Sequence, residues 1–245
     1  MTGKREFPIH IHISKSAIPG AITGFSIFAG YIAIVQGLEG EYTAAAWFIL
    51  LACLLDLCDG RVARAIHATS DFGIQFDSLA DVINYGIAPS LLFYKLYFQD
   101  WGFAGIALGF LPVVCAAIRL ARFNVESDDE PTVVFKGLPT TAAAVFLASY
   151  VVFIHAIYGH FGAPISAALL VTLAALLMVS PVRYEKNTFI SPRWLLKDRR
   201  AVPVVVVFTS VVLFPTIAFF LWSLLYVSFG LGRGLLMIVK ETPDA

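Results

Sequence analysis

The stretch Leu54-Leu-Asp-Leu-Cys-Asp-Gly-Arg-Val-Ala-Arg64, continued by Asp71-Phe-Gly-Ile-Gln-Phe-Asp-Ser-Leu-Ala-Asp81, places acidic side chains inside segments that are otherwise apolar enough to cross a bilayer. An ionisable group at membrane depth is costly and therefore indicates a functional site. The acidic residues at issue are Asp56, Asp59, Asp77 and Asp81. Four carboxylates in such a setting predict a bound cation.

Helical spacing puts these carboxylates on two faces that can meet. Asp56 and Asp59 are three residues apart, and Asp77 and Asp81 are four apart, so each pair shares one face of its helix. Two helices joined by a short connection pack side by side, and oxygen-only ligands favour Mg²⁺, Mn²⁺ or Ca²⁺. Arg64 offers a planar charged group to phosphate oxygens. The pattern therefore predicts a metal-bound phosphoanhydride as the ligand.

A structural alternative is that the aspartates only form hydrogen bonds or ion pairs within the bundle. Arg61 and Arg64 are the arginines nearest to them in the sequence. Two arginines do not neutralise four acids, so metal binding is the favoured interpretation.

Composition agrees with a membrane protein. Of the 245 residues, 59% are hydrophobic and only 14% are charged, which is far from the usual composition of a soluble domain. The sequence predicts an all-α, polytopic bundle of membrane helices. The formal net charge is zero, so overall charge gives no indication of a nucleic-acid partner.

Apolar segments long enough to span a bilayer occur at about 18–37, 42–66, 71–98, 102–124, 137–158, 162–180 and 202–230. Pro215 interrupts the last of these, which we interpret as two spans, giving eight in total. With cytoplasmic N- and C-termini, the predicted external loops contain no Lys or Arg, as the positive-inside rule requires. A single long seventh span would instead put Arg233 and Lys240 outside. This arrangement predicts an inner (cytoplasmic) membrane protein whose aspartates face the cytoplasm.

These features divide the chain into five parts, which differ in hydropathy and charge. We expect an N-terminal interfacial segment, a membrane domain of six spans, a basic cytoplasmic loop, two further spans and a cytoplasmic tail. Their respective bounds are 1–17, 18–185, 186–201, 202–230 and 231–245.

The acidic motif resembles the signature of a known family. Asp56-x-x-Asp59-Gly60-x-x-Ala63-Arg64, then eight residues, then Gly73-x-x-x-Asp77-x-x-x-Asp81 has the signature residues and spacing of the CDP-alcohol phosphatidyltransferases. These are integral membrane enzymes that move a phosphatidyl group from CDP-diacylglycerol to an alcohol. Eight fixed positions at fixed spacing make the resemblance specific.

Within this family, the flanking residues look like those of bacterial and archaeal phosphatidylserine synthases. The resemblance runs from about residue 17 to about residue 185. The blocks that carry it are Phe76-Asp-Ser-Leu-Ala-Asp81, Tyr85-Gly-Ile-Ala-Pro89, Arg119-Leu-Ala-Arg-Phe-Asn124, Lys136-Gly-Leu-Pro-Thr140 and Leu177-Met-Val-Ser180. The implied reaction is transfer to L-serine, giving phosphatidylserine and CMP.

The resemblance also implies roles for individual residues. Two divalent ions, Mg²⁺ or Mn²⁺, would be held by Asp56, Asp59, Asp77 and Asp81, with Asp77 bridging them. Asp81 would accept the proton of the attacking hydroxyl, so the displacement at phosphorus is direct. The implied CDP contacts are Asp56, Gly60, Ala63, Arg64 and Gly73. Family members are commonly homodimers, which is the expected assembly here, surrounded by membrane lipid.

Three positions, Gly20, Ser26 and Asn84, depart from the family pattern. The first span usually begins Pro-Asn-x-x-Thr-x-x-Asn, whereas this chain has Pro19-Gly20-Ala-Ile-Thr23-Gly-Phe-Ser26. Asn84 stands where related serine enzymes commonly carry Ser, and it lies on the stripe of Gly73, Asp77 and Asp81. The residues expected to bind the acceptor or a phosphate are Asn84, Arg119, Arg122 and Lys136.

Two other functions are compatible with part of this pattern. The chain could use another acceptor, namely glycerol phosphate, inositol phosphate or choline, but the blocks around residues 76–89 and 119–124 look more like those of the serine enzymes. From another class, the aspartates could serve a cation or proton transporter. A single acidic cluster toward one membrane face, with no visible internal repeat, disfavours a transporter.

Overall fold

The computed structural model describes residues 17–66, 70–126, 134–185 and 201–241, which form a helical bundle. The predicted N-terminal segment and the basic loop lie almost wholly outside the described residues. The described α-helices are α1 (Ala17–Glu39), α2 (Tyr42–Ala65), α3 (Asp71–Asp81), α4 (Ala88–Phe93), α5 (Gly102–Glu126), α6 (Thr140–Tyr158), α7 (Pro164–Val179), α8 (Ala201–Leu213) and α9 (Pro215–Glu241).

The second half of the acidic motif lies in α3, which continues as one helical rod to Trp101. Between and after its α-helices lie π-helical turns at Val82–Ile87 and Tyr94–Phe98, and the rod closes with a 3₁₀ turn at Gln99–Trp101. Gly102 then adopts a φ of 57°, which reverses the chain into α5. A π-helical turn holds more residues than an α-helical turn, so it changes which side chains face the interior.

Five stretches of the described chain are long and apolar enough to cross a membrane, judged by length and composition. They are Ile18–Glu39, Tyr42–Val62, Asp71–Val125, Thr140–Tyr158 and Pro215–Gly232, and the third contains both the rod and α5. α7 has 16 residues and α8 has 13, which is shorter than a membrane crossing normally needs. The helical membrane architecture is therefore confirmed, whereas the count of eight spans and the orientation of the termini stay predictions.

Small side chains let the first two helices approach each other closely. Ala29 and Ala33 of α1, together with Ala45 and Ala52 of α2, are at most 3% exposed. α6 lies at the centre of the bundle, and its residues between Phe146 and Val152 are all buried. The core thus sits beside the segment that carries the aspartates.

The break between the last two helices lies where the sequence predicted. α8 ends at Leu213, and α9 begins at Pro215. Trp222 donates from Nε1 to Ser210 Oγ at 2.9 Å, which closes this pair of helices. α9 packs on α6 through stacked rings of Phe146 and Phe220, whose centroids are 5.9 Å apart.

A short pair of strands was not predicted. β1 (Val134–Lys136) and β2 (Arg183–Glu185) run antiparallel, with Lys136 opposite Arg183. Next to the strands, Gly137 donates to the Val182 carbonyl at 2.8 Å, and Leu138 donates to the Leu177 carbonyl at 2.9 Å. The chain before α6 is therefore fastened to the end of α7.

Candidate active site

Three of the four aspartates bring carboxylate oxygens to one point. One oxygen from each of Asp56, Asp59 and Asp77 lies within 4.8 Å of the other two. The first two come from α2 and the third from α3, so the cluster joins two helices. Asp59 is only 3% exposed, whereas Asp77 is exposed. The site therefore lies at the boundary between the bundle interior and its surface.

Asp81 lies one helical turn beyond Asp77, at the edge of this cluster. Its carboxylate is within electrostatic range of the other three aspartates and of the Arg119 guanidinium. It is not one of the three residues whose oxygens meet within 4.8 Å. The described geometry thus separates a tight triad from a fourth carboxylate next to a cationic side chain.

Local structure explains how the two helices present these side chains. Ser70 is the N-cap of α3, and its Oγ accepts a 3.1 Å hydrogen bond from the Gly73 amide. This cap fixes where α3 starts, and hence where Asp77 and Asp81 lie along it. On the other side of the site, the Thr23 hydroxyl of α1 lies near the Asp59 carboxylate.

The residues present fit a divalent cation. Asp56 Oδ1, Asp59 Oδ2 and Asp81 Oδ1 are buried, and none has a hydrogen-bond partner within the described ranges. Buried polar atoms are normally satisfied, so three carboxylate oxygens in this state indicate a site built for another partner. Several negative charges that converge in a poorly hydrated region favour a hard cation over further protein donors.

The residues predicted to contact CDP differ in what surrounds them. Gly60 is exposed, and a Cβ atom placed there would have no heavy atom within 4 Å outside its own helix backbone, so the space next to it is open. Arg64 is also exposed. Gly73 is half-buried and lies against its capping residue, Ser70. Ala63 belongs to α2, and its side chain is outside the described part of the site.

The residues predicted to bind the acceptor do not all lie near the aspartates. Arg119 is 7% exposed and lies near Asp81. Arg122 is exposed and donates from Nη1 to the Val179 carbonyl at 3.1 Å, so it contacts the end of α7. Lys136 lies in β1, and the structure describes only its backbone there.

Asn84 is fully buried and makes its hydrogen bond inside the bundle. Its Nδ2 donates to Ser26 Oγ at 2.8 Å, and Ser26 is also fully buried. The π-helical turn at Val82–Ile87 contains Asn84, Tyr85 and Gly86, all three of which are buried. The bond to Ser26 joins this turn to α1.

Three further side chains close to the aspartates in the sequence or the fold were not singled out from the sequence. Tyr85 is 1% exposed, and its hydroxyl lies near the Asp56 carboxylate. Ser78 and Asn124 form a hydrogen bond between α3 and α5, with Asn124 Nδ2 donating to Ser78 Oγ at 3.1 Å. All three lie in blocks that resemble the serine enzymes, but the sequence gives no indication of the contacts that they make.

Comparison with known proteins identifies the class. The family model described as CDP-alcohol phosphatidyltransferase matches residues 16–182, which is more than half of the chain. The chain therefore belongs to the CDP-alcohol phosphatidyltransferase family, and it is a transferase with membrane-spanning helices.

Individual relatives are similar in sequence over 53–91% of the chain. A protein of Helicobacter pylori (strain ATCC 700392 / 26695) named CDP-diacylglycerol–serine O-phosphatidyltransferase is 37% identical over 224 residues, covering 91% of this chain and 92% of its own. The archaetidylserine synthase of Methanothermobacter thermautotrophicus is 35% identical, covering 69% of this chain and 70% of its own. A Bacillus subtilis CDP-diacylglycerol–serine O-phosphatidyltransferase is 36% identical, covering 53% and 72% respectively.

Proposed function

We propose that this protein transfers a phosphatidyl group from CDP-diacylglycerol to the hydroxyl of L-serine, giving phosphatidylserine and CMP. The observation that carries the proposal is the meeting of three carboxylates from two helices within 4.8 Å, with buried oxygens that have no hydrogen-bond partner in the described ranges. Such a site suits a reaction whose substrate brings a pyrophosphate and whose leaving group is a phosphate.

The metal ligands in this proposal are Asp56, Asp59 and Asp77, with Asp81 at the edge of the same cluster. We propose Mg²⁺ or Mn²⁺, and two ions. When bound, the ions would neutralise the pyrophosphate and stabilise the charge of the departing CMP. Family membership supports a divalent metal in general, and the all-oxygen donor set favours these ions over zinc or copper.

Asp81 is proposed as the general base. The serine hydroxyl oxygen forms a bond to the phosphorus next to the diacylglycerol, and the bond from that phosphorus to the CMP oxygen breaks. The hydroxyl proton passes to the Asp81 carboxylate, and the electron pair of the broken bond leaves with CMP. Asp81 suits this role because it lies beside the triad, where an incoming hydroxyl would approach.

The nucleotide is proposed to bind beside α2. Gly60 leaves open space for the ribose and base, and Arg64 is exposed at the end of the same helix. A glycine here lets a ligand approach the backbone closely. Ala63 and Gly73 complete the proposed CDP contacts, as the family motif implies.

L-serine is the proposed acceptor, for two reasons. Relatives named as serine or archaetidylserine enzymes match along most of this chain. In addition, Arg119 is a buried guanidinium near Asp81, where it can bind the serine carboxylate while the hydroxyl faces the base. Arg122 and Lys136 are further candidates for acceptor contact, whereas Asn84 bonds to Ser26 inside the bundle. The transporter alternative gains no support from these relatives.

The aspartates lie at the end of the span Tyr42–Val62 and at the start of Asp71–Val125. We propose that this end faces the cytoplasm and that the protein resides in the inner membrane. Soluble serine and the nucleotide group would then reach the site from water, while the diacylglycerol chains enter from lipid. A homodimer is the assembly proposed from the family resemblance.

A parallel acceptor assay tests this function. The purified chain in detergent receives CDP-diacylglycerol and Mn²⁺, with labelled serine, glycerol phosphate, inositol phosphate or choline in separate reactions. We expect CMP release and a labelled lipid only with serine. The same assay is run on Asp77→Asn, which changes a residue of the triad. Asp71→Asn, at an exposed aspartate outside the triad, is its matched control. Transfer to another acceptor alone, or turnover in excess chelator, would refute the proposal.

A further inference from the structure

A buried chain of hydrogen bonds links three helical segments beneath the candidate active site. Asn84 Nδ2, in the π-helical turn, donates to Ser26 Oγ of α1 at 2.8 Å. Ser26 Oγ donates in turn to the Ala52 carbonyl of α2 at 3.0 Å. All three residues are completely buried. The chain thus connects α1, α2 and the segment that follows α3.

The direction of these bonds is fixed by chemistry. A carbonyl oxygen only accepts, so Ser26 must give its single hydroxyl hydrogen to Ala52. Its oxygen is then left to accept from the amide of Asn84. Ser26 thus accepts and donates one bond each, whereas Asn84 Oδ1 is buried with no hydrogen-bond partner in the described ranges, so the Asn84 side chain is held by its bond to Ser26.

The position of the link relates it to the aspartates. Ala52 precedes Asp56 by four residues on α2, and Asn84 follows Asp81 by three residues along the rod. Ser26 follows Thr23 by three residues on α1, and the Thr23 hydroxyl lies near Asp59. On each element, the link thus lies about one helical turn away from a residue of the site.

Close packing holds the amide of Asn84 in place. A Cβ atom at Gly30 of α1 would collide with the Asn84 side chain, so only a glycine leaves room for that amide. Burial also makes the hydrogen bonds costly to leave unmade. The link is therefore well suited to fix the distance between α2 and the rod.

We infer that Ser26 and Asn84 are positioning residues that hold the carboxylates of α2 and α3 in the arrangement that binds metal. The inference rests on the proposed function for its biological meaning, and it gives Asn84 a supporting role in place of direct acceptor contact. Residues that orient metal ligands from behind typically contribute about 10–100-fold in metal affinity or activity. Ser26 and Asn84 act here through the backbone of the helices that carry the ligands.

The test measures Mn²⁺ affinity of the full purified chain, without substrate, by electron paramagnetic resonance. Ser26→Ala removes one oxygen atom, and Asn84→Ala removes the amide. We expect each variant to bind Mn²⁺ about tenfold more weakly or worse. The double variant should be no weaker than the poorer single variant, because both changes break the same link.

Ser149→Ala is the matched control. Ser149 of α6 and Ser223 of α9 form another buried hydroxyl pair between helices, at 3.2 Å. We expect this control to lower thermal stability while leaving Mn²⁺ affinity within twofold of the wild type. Ser26→Ala should differ from it by losing Mn²⁺ affinity.

Two results would overturn the inference. The first is Mn²⁺ affinity within twofold of the wild type in both Ser26→Ala and Asn84→Ala. The second is a double variant whose loss equals the product of two independent losses. The metal measurement needs no serine, so wild-type protein that fails to use serine would refute the proposed function and leave this result standing.

Discussion

Asp56 and Asp77 belong to different helices, yet a carboxylate oxygen of one lies within 4.8 Å of a carboxylate oxygen of the other. Like charges at that distance repel, and the repulsion is stronger the more the surrounding bundle excludes water. A bound cation between them would turn this repulsion into attraction. The relationship therefore makes metal removal the first experiment on this protein.

Metal removal is expected to abolish transfer reversibly. A chelator should reduce CMP release to background, and Mg²⁺ or Mn²⁺ should restore it. Asp59→Asn should raise the metal concentration for half-maximal activity by about tenfold or more, because a ligand matters at least as much as the groups that orient it. Asp71→Asn should leave that concentration unchanged. Activity that survives extensive chelation would contradict this prediction.

Asp81→Asn should separate catalysis from binding. An amide of similar shape does not accept the hydroxyl proton, so kcat should fall by about 10²–10⁴-fold. The affinity for CDP-diacylglycerol should change much less, since Asp81 lies outside the tight triad. The measurement is steady-state kinetics in which each substrate is varied in turn. An unchanged kcat would remove Asp81 from the role of base.

Gly60→Leu should block the nucleotide without unfolding the chain. No heavy atom outside the backbone of its own helix lies within 4 Å of a Cβ placed at Gly60, so the folded protein has room for the larger side chain. The KM for CDP-diacylglycerol should rise by about tenfold or more, because the added atoms occupy the proposed CDP site. Gly232→Leu is the control, at another exposed helical glycine with open space. Equal kinetics in the two variants would place the nucleotide elsewhere.

Arg119 and Arg122 should behave differently despite their spacing of three residues. Arg119→Ala removes a buried guanidinium near Asp81 and should raise the KM for serine by about 10–100-fold. Arg122→Ala loses a hydrogen bond to the Val179 carbonyl at the end of α7, so its effect should appear mainly in thermal stability. Serine kinetics and thermal unfolding of both variants provide the comparison. The reverse pattern would exchange their assigned roles.

Gly137→Ala should destabilise the fold by more than about 1 kcal/mol. Gly137 has a φ of 82°, and a Cβ there would collide with the Met178 carbonyl oxygen. Gly159→Ala is the control, since Gly159 has a φ of 68° but open space around a Cβ. The difference in free energy of unfolding between the two variants gives the energetic cost of the collision. Similar stabilities in the two variants would mean that the segments around Gly137 and Met178 move apart at little cost.

The sequence predicted the main features of the site because they depend on regular helical geometry. Spacings of three and four residues brought the aspartates of α2 and α3 to facing sides, and Pro215 marked the break before α9. The contact of Asn84 was harder to predict, because its partner Ser26 lies on α1, and spacing within one helix does not show which side chains meet across helices.

Other features depend on contacts between distant segments, which spacing does not reveal. Arg119 and Arg122 lie on one face of α5, but one approaches Asp81 and the other contacts α7. The strands β1 and β2 have three residues each, too few for a period of two to be recognised. Ser26 and Asn84, both departures from the family pattern, turn out to be partners in one hydrogen bond.

The pairing of β1 with β2 affects how the chain can be shortened. The family match ends at residue 182, but the partner of β1 extends to Glu185. Cutting at residue 182 would leave the backbone of Val134–Lys136 without its neighbour and would put a new charged terminus next to the Gly137 bond. An expression fragment that omits α8 and α9 should therefore keep Arg183–Glu185.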